Sequence, residues 1–210
     1  MYLPKHFEET RPERLHGFMA AYPLGLLITH DEAGVVANPI PFMLQPERGP
    51  NGTLIGHVAR ANPVWKQTLG AADALVVFQG PQGYVSPGWY ASKAEQGKVV
   101  PTWNYSTVQA RGPLVVHDTV EAVRAVVHTL TTHHEASQRQ PWAMADAPAG
   151  YIEQMLRAIV MIEVPITALV GKFKLSQNRS AADREGVEAG LDAGGAAALS
   201  TAMQTGRAAP

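Results

Sequence analysis

The sequence predicts a mainly β fold with peripheral helices, an α+β domain. Short apolar runs bounded by turn residues, such as residues 24–30 and 74–78, are typical of strands. Segments with helical periodicity and capping residues at their starts separate these runs. The 210 residues also include 16 prolines and 19 glycines, which indicates the many turns that a barrel of short strands requires.

Composition limits the class of protein. The 17 basic and 18 acidic residues leave a net charge of −1, whereas nucleic-acid binders usually carry a basic surplus. The absence of cysteine excludes disulfides and thiolate chemistry and fits a reducing cytoplasm. The first ten residues lack the apolar region of a secretory signal, and no run of 18 apolar residues occurs. We therefore expect a cytoplasmic protein without a membrane span.

Local patterns predict the order of the elements. We expect strands over residues 24–30, 35–44, 53–59, 74–78, 84–86, 102–117 and 161–175. We expect helices over residues 11–21, 65–69, 118–136, 151–159 and 180–190. The pairs Asp118–Glu121 and Ser180–Asp183 are expected to cap two of these helices, and Asn62, followed by Pro63, is expected to cap the short helix that runs to residue 69.

Two segments of the chain have no strong periodicity. Residues 88–101 predict a long polar loop, and loops of this length inside a compact domain are often functional. From residue 192 onward the chain is mostly Ala, Gly and Ser, which predicts a loosely attached tail with a weak helix near residues 196–203. We therefore expect one domain over residues 1–191 and a tail over residues 192–210.

Residues 54–65, LIGHVARANPVW, place the end of a strand directly before the start of a helix. Such a corner presents unpaired backbone N–H groups to an anion. Arg60 adds a fork of donors suited to phosphate, and His57 can donate as well. In the alternative interpretation, Arg60 pairs with a surface carboxylate and His57 is a core histidine. The spacing alone favours this alternative.

Aromatic residues are concentrated between residues 78 and 106, where Tyr84, Trp89, Tyr90, Trp103 and Tyr105 occur. A flat aromatic cofactor requires apolar and aromatic walls with a few fixed polar groups, and this segment offers both. An ordinary barrel core with a dimer contact would concentrate aromatic residues in the same way. The segment therefore leaves both interpretations open.

Residues 171–178, GKFKLSQN, place Lys172 and Lys174 on one face of a strand, followed by Ser176, Gln177 and Asn178 as clustered donors. The alternative is a solvated edge strand protected by its lysines. This simpler interpretation is favoured when the segment is considered alone.

Motifs of several enzyme classes are absent from the sequence. There is no P-loop, no nucleophile elbow and no glycine-rich dinucleotide fingerprint. His128 and His133 lie five residues apart, which is not the spacing of a helical metal pair. We therefore expect neither a metal site nor a catalytic side chain of these classes.

Four longer stretches together resemble the PaiB family of FMN-binding negative transcriptional regulators: MYLPKHF at 1–7, GHVARANPVW at 56–65, the segment 78–105, and GKFKLSQNRSAADREGV at 171–187. The resemblance extends over about residues 1–191. It implies an FMN-binding split β-barrel related to pyridoxamine-phosphate oxidase, with FMN at the interface of a homodimer. It further implies a set of cofactor-binding residues: His57, Val58, Ala59, Arg60, Asn62, Trp103, Asn104, Lys174, Ser176 and Gln177.

Three functions remain open at this point. The first is an FMN-binding homodimer that represses transcription and senses a redox partner or a small molecule. The second is an FMN-dependent oxidoreductase of the flavin reductase or pyridoxamine-phosphate oxidase class, with only indirect regulatory effects. The third is a flavin-free interaction protein that retains the fold. Because no helix-turn-helix motif is present and the charge is balanced, we expect weak DNA binding.

Overall fold

A computed structural model describes residues 1–31, 34–67 and 73–206 of the chain. The strands within these ranges are β1 (Glu8–Glu9), β2 (Leu24–Asp31), β3 (Gly34–Pro41), β4 (Met43–Gln45), β5 (Thr53–Ala59), β6 (Ala74–Val85), β7 (Thr102–Gly112), β8 (Val115–His117), β9 (Ile159–Pro165) and β10 (Ala168–Lys174). The helices are α1 (Pro12–Ala21), α2 (Val64–Gln67), α3 (Ser92–Gln96), α4 (Val120–Glu135), α5 (Ala149–Arg157), α6 (Ala181–Ala193) and α7 (Ala197–Thr205). The predicted α+β class is confirmed.

The strands form two sheets. One contains six strands in the order β1-β10-β7-β6-β2-β3, and the other contains four in the order β4-β5-β9-β8. The chain divides into two compact units, which we call unit 1 (residues 1–15, 79–108 and 170–210) and unit 2 (residues 16–78 and 109–169). Among the described residues, no helix combines the length and the apolar composition needed to cross a bilayer.

Unit 2 is built around the β2–β3 hairpin and the β5–β9 pair, both antiparallel. Helix α4 packs Val126 and Leu130 against Ile55 of β5. The side chain of Thr119 accepts a hydrogen bond from the backbone N–H of Ala122 and so caps α4. The expected cap, Asp118, forms an ion pair elsewhere in unit 2, so that prediction was wrong by one residue.

Unit 1 contains the β1–β10 pair and helices α3, α6 and α7. Helix α6 begins after Ser180, whose Oγ accepts the N–H of Asp183 at 3.2 Å, as predicted. Trp89 packs on α6 so closely that a Cβ at Gly190 would lie 2.4 Å from its ring. Only glycine therefore allows this contact.

Three predicted strands are each divided between the two sheets. The expected strand 35–44 breaks at Phe42, which is buried and donates its N–H to the carbonyl of Pro23 at 2.9 Å. The expected strand 161–175 breaks at Ile166, whose N–H donates to the carbonyl of Gly52 at 3.0 Å. In these two segments the first strand ends at a proline, Pro41 or Pro165, so local sequence indicates an interruption but not the change of sheet. The strand expected over 102–117 is divided as well, since β7 ends at Gly112 in the six-stranded sheet and β8 begins at Val115 in the four-stranded sheet.

The segment 88–101 and the tail also differ from expectation. The expected loop contains the end of a 3₁₀ helix (Pro87–Trp89) and all of α3. The tail is not loosely attached, because Leu199 and Met203, four residues apart on α7, are both buried. The expected strands 74–78 and 84–86 are the single strand β6. The middle of the turn between the strands expected over 24–30 and 35–44 lies outside the described residues, and so does the end of the helix expected over 65–69.

Candidate functional site

The residues that the sequence analysis assigns to the cofactor fall into two groups. The first, from His57 to Asn62, belongs to unit 2 and is called the corner. The second belongs to unit 1 and comprises Trp103, Asn104, Lys174, Ser176 and Gln177.

The corner is a rigid turn between β5 and α2. The N–H of Arg60 donates to the carbonyl of Ala158 at 2.8 Å, and the N–H of Asn62 donates to that of Ala59 at 2.9 Å. The side chain of Asn62 accepts the N–H of Val64 at 3.0 Å, which is the cap that the sequence predicts. Both ends of the turn are therefore fixed by hydrogen bonds.

Arg60 uses several of its donors within unit 2. Its Nε donates to the carbonyl of Arg157 at 2.6 Å, and its Nη2 donates to that of Ile159 at 3.2 Å. The same Nη2 lies 2.6 Å from the Asp118 carboxylate, and both side chains are 40% exposed. The hydrogen bond from Arg60 lowers the pKa of Asp118, and the same bond raises the pKa of Arg60. The surface ion pair of the alternative interpretation therefore exists, and an anion at Arg60 would have to share the guanidinium with Asp118.

His57, Val58 and Ala59 are the first three residues of the corner and the last three of β5. Val58 is buried, so its side chain contributes to the core. The side chain of His57 is accessible to solvent, but the surrounding protein removes part of the water around its ring. This desolvation lowers the pKa of the imidazole. His57 is therefore neutral at pH 7 and can donate one N–H.

A cavity of about 480 Å³ adjoins the corner within unit 2. Its lining consists of Thr29, Val36, Asn38, Ala61, Asn62, Pro63 and Val64. Asn62 Nδ2 donates to Asn38 Oδ1 at 2.9 Å, whereas the buried Asn38 Nδ2 has no hydrogen-bond partner among the described residues. Thr29 and Asn38 were not predicted as site residues, because they lie on a hairpin distant in sequence from the corner. The feature that marks them is that their side chains face the interior, since Asn38 is the register partner of the buried Leu27.

In unit 1, Asn104 and Ser176 form a buried polar pair. Asn104 Nδ2 donates to Ser176 Oγ at 2.9 Å, while Asn104 Oδ1 has no partner among the described residues. Ser176 adopts a left-handed backbone conformation with φ of 63°, which is uncommon for a residue other than glycine. Gln177 supports the same turn, because its Oε1 accepts the N–H of Leu175 at 2.7 Å. These side chains fix the chain after β10.

Lys174 and two exposed aromatic side chains, Trp103 and Tyr84, also belong to unit 1. Its Nζ donates to Thr102 Oγ1 and to the carbonyl of Trp103. Burial, followed by repulsion from Lys172 and Arg179, lowers the pKa of Lys174. Trp103 is 49% exposed and contacts Tyr84 edge-to-face, with ring centroids 6.5 Å apart. An amino group such as that of Lys174 suits an anionic ligand, and exposed rings such as those of Trp103 and Tyr84 suit an aromatic one.

Comparison with known proteins gives both a family and a fold. Residues 1–168 match the family described as "Putative FMN-binding domain". An uncharacterized protein of Aspergillus fumigatus is 34% identical over 91% of each chain. Protease synthase and sporulation protein PAI 2 of Bacillus subtilis is 28% identical over 87% of this chain and 85% of its own. The solved FAD and heme binding protein of Mycobacterium smegmatis is similar in fold, with a TM-score of 0.58 at 18% identity over 88% of this chain and 80% of its own.

Proposed function

The chain belongs to this family of FMN-binding domains, and from that premise we propose that it is an FMN-binding homodimer of the PaiB type that acts in negative regulation of transcription. The predicted PaiB resemblance and split-barrel fold class are confirmed by the comparisons. The family match over residues 1–168 carries the proposal and supports FMN, or a related flavin, as the cofactor.

Both groups of residues fit a flavin chemically. At the corner, the remaining donors of Arg60 and the neutral His57 are proposed to bind the phosphate. In unit 1, Lys174 and Trp103 offer a cation and an aromatic surface. When bound, FMN supplies electron and hydride transfer, while the protein residues hold and orient it and exclude water.

Exposed apolar side chains support the proposed homodimer. In unit 2, Leu24 and Val35 on the β2–β3 hairpin are 62% and 72% exposed, and Leu26, two residues after Leu24 on β2, is 38% exposed. In unit 1, Tyr84 and Trp103 are each 49% exposed. Groups of large apolar side chains on a surface mark interaction sites, and a second copy of the chain is the partner that the PaiB type implies.

The proposed regulation acts through the flavin or through a protein partner. PAI 2, the relative from Bacillus subtilis, is named for protease synthesis and sporulation, which supports a regulatory role. The net charge of −1 provides little of the phosphate neutralisation on which DNA affinity depends. Direct DNA binding is therefore expected to be weak.

A second candidate function is FMN-dependent oxidoreduction with only indirect effects on transcription. The cavity beside the corner favours it, because it is an open space lined by polar and apolar groups, in which a bound flavin ring would stay accessible to a small substrate.

The anaerobic visible spectrum of the FMN-loaded protein separates the two candidates. Addition of NADPH should leave the oxidised flavin bands unchanged if the protein is a regulator without this activity. Bleaching that recurs with an added electron acceptor would support the oxidoreductase instead.

A further inference from the structure

The cavity beside the corner has a polar rim on the inward face of the β2–β3 hairpin. Thr29 follows the buried Leu27 by two residues on β2, so the two side chains lie on the same face. Asn38 is the register partner of Leu27, and Val36 is the partner of Thr29. Thr29, Val36 and Asn38 therefore line the cavity from the same face of the hairpin as the buried Leu27.

The orientation of the two amides is determined by a backbone group. The N–H of Val64 can only donate, so the Asn62 atom 3.0 Å away is its carbonyl oxygen. Asn62 then presents its NH₂ group to Asn38, whose oxygen accepts at 2.9 Å. The NH₂ group of Asn38 is consequently left buried, lining the cavity, with no acceptor among the described residues. An unpaired buried donor of this kind favours a ligand that supplies the missing acceptor.

The character of the cavity restricts which acceptor fits. None of its described lining residues is charged, and Val36, Ala61, Pro63 and Val64 make much of its wall apolar. A dianionic phosphate placed there would lose its hydration without gaining a cation. Arg60, the charged donor of the corner, is directed toward β9 and Asp118 rather than toward Asn38.

We propose that this cavity receives the uncharged dicarbonyl edge of the flavin ring rather than its phosphate, with Asn38 and Thr29 as the hydrogen-bonding residues. That edge carries two carbonyl acceptors on either side of an N–H group, on a flat ring that suits the apolar wall. The phosphate is separated from the ring by the flexible ribityl chain, so it can lie at Arg60 while the ring edge lies at Asn38. This assignment rests on the proposed flavin binding.

Riboflavin, which has the ring but not the phosphate, provides the test. Dissociation constants for FMN and for riboflavin are measured by flavin fluorescence for the wild type, Asn38→Ala and Thr29→Val. Both substitutions are uncharged and leave the electrostatics of the phosphate unchanged. Matched controls are Asn51→Ala and Thr167→Val, which remove hydrogen bonds to the carbonyls of Ile166 and Arg111 in the same unit without touching the cavity.

Asn38→Ala should weaken the binding of FMN and of riboflavin by the same factor, about 3- to 10-fold, because one hydrogen bond to the ring is lost. Thr29→Val should act equally on both ligands, and it keeps the test valid if Asn38→Ala does not fold. Weaker binding of FMN alone would place the phosphate in the cavity and overturn the assignment. Unchanged binding of both ligands would overturn it as well. A wild-type protein that binds neither ligand would instead remove the proposed flavin binding, and this assignment with it.

Discussion

The polar residues near the corner differ in whether their hydrogen-bonding groups are already used. Arg60 donates hydrogen bonds to two backbone carbonyls, which fix the corner, and it forms an ion pair with Asp118. The carboxylate of Asp118 therefore partly neutralises the charge of Arg60. The Nδ2 group of Asn38 has no acceptor among the residues that the structure describes. A ligand at this site therefore has to compete with Asp118 for Arg60, whereas no described residue competes with it for Asn38.

Arg60→Ala tests the phosphate contact. If Arg60 binds the phosphate, the substitution should weaken FMN binding by about ten- to a hundred-fold, because a charge-assisted contact is lost. Riboflavin, which has no phosphate, should bind as well as it does to the wild type. A titration in which FMN affinity stays unchanged would remove Arg60 from the site.

Asp118→Asn tests the competition for the same guanidinium. Removing the carboxylate charge should free Arg60 for the phosphate and strengthen FMN binding by up to about fivefold, the scale of a surface ion pair. Thr119 caps α4 by itself, so the helix should be unaffected. The account would be contradicted by an Asp118→Asn variant that binds FMN more weakly than the wild type does.

At the scale of elements, β9 carries a buried carboxylate that ties the four-stranded sheet to the loop after β4. Arg48 holds Glu163 with two hydrogen bonds, at 2.8 and 2.9 Å, and His117 Nε2 lies 3.4 Å away. The hydrogen bonds from Arg48 keep the pKa of Glu163 below its ordinary value. The stability that this carboxylate contributes is therefore complete above the unfolded-state pKa and is lost as the pH falls through the lowered folded-state value.

Glu163→Gln should lower the free energy of unfolding by about 1.5–3 kcal/mol at pH 7, since charge-assisted hydrogen bonds are weakened. Its difference from the wild type should begin to shrink as the pH falls below the unfolded-state pKa of about 4.3 and should be lost once the pH is below the lowered folded-state pKa, where the folded wild-type carboxylate is protonated as well. Urea unfolding at a series of pH values measures both effects. A difference that is constant with pH would show that the charge of Glu163 contributes nothing.

Helix α7 offers a second test at this scale. Leu199 is 1% exposed, so Leu199→Ala should cost about 2–5 kcal/mol by leaving a cavity. Thr201→Ala, at an exposed position of the same helix, is the matched control and should change stability little. Equal melting temperatures for both variants would indicate a loosely attached tail after all.

Local patterns predicted the elements whose ends are marked by their own residues. Strand β5 has the predicted bounds, and Ser180 and Asn62 cap as expected. The changes of sheet at Phe42 and Ile166 were not predictable, because their backbone N–H groups are taken by distant carbonyls. Asn38 was missed for the same reason: its role depends on the β2–β3 register and on Asn62, which lies 24 residues away. The packing of α7 likewise depends on distant contacts, because Leu199 approaches Gly83.

At the scale of the whole molecule, the exposed apolar side chains predict self-association. Sedimentation of the purified protein at micromolar concentration should give a dimer, and the interface should bury about 2,000 Å² or more in total, as stable homodimers do. Leu24→Lys combined with Val35→Lys should shift the equilibrium toward monomer if the hairpin face is the contact. A stable monomer in the wild type would refute the homodimer.

The balanced charge makes a further prediction about DNA. The isolated protein should bind the upstream region of its own operon weakly or not detectably near physiological salt, because few phosphates can be neutralised. A mobility-shift assay measures this directly. Tight, sequence-selective binding would establish a direct repressor.

Titration of the cofactor-stripped protein with FMN, followed by flavin fluorescence and the visible spectrum, tests the central claim most directly. The account predicts saturable binding of one FMN per chain, with a flavin spectrum altered by its protein surroundings. A protein that remains colourless and leaves the fluorescence of added FMN unchanged would contradict it.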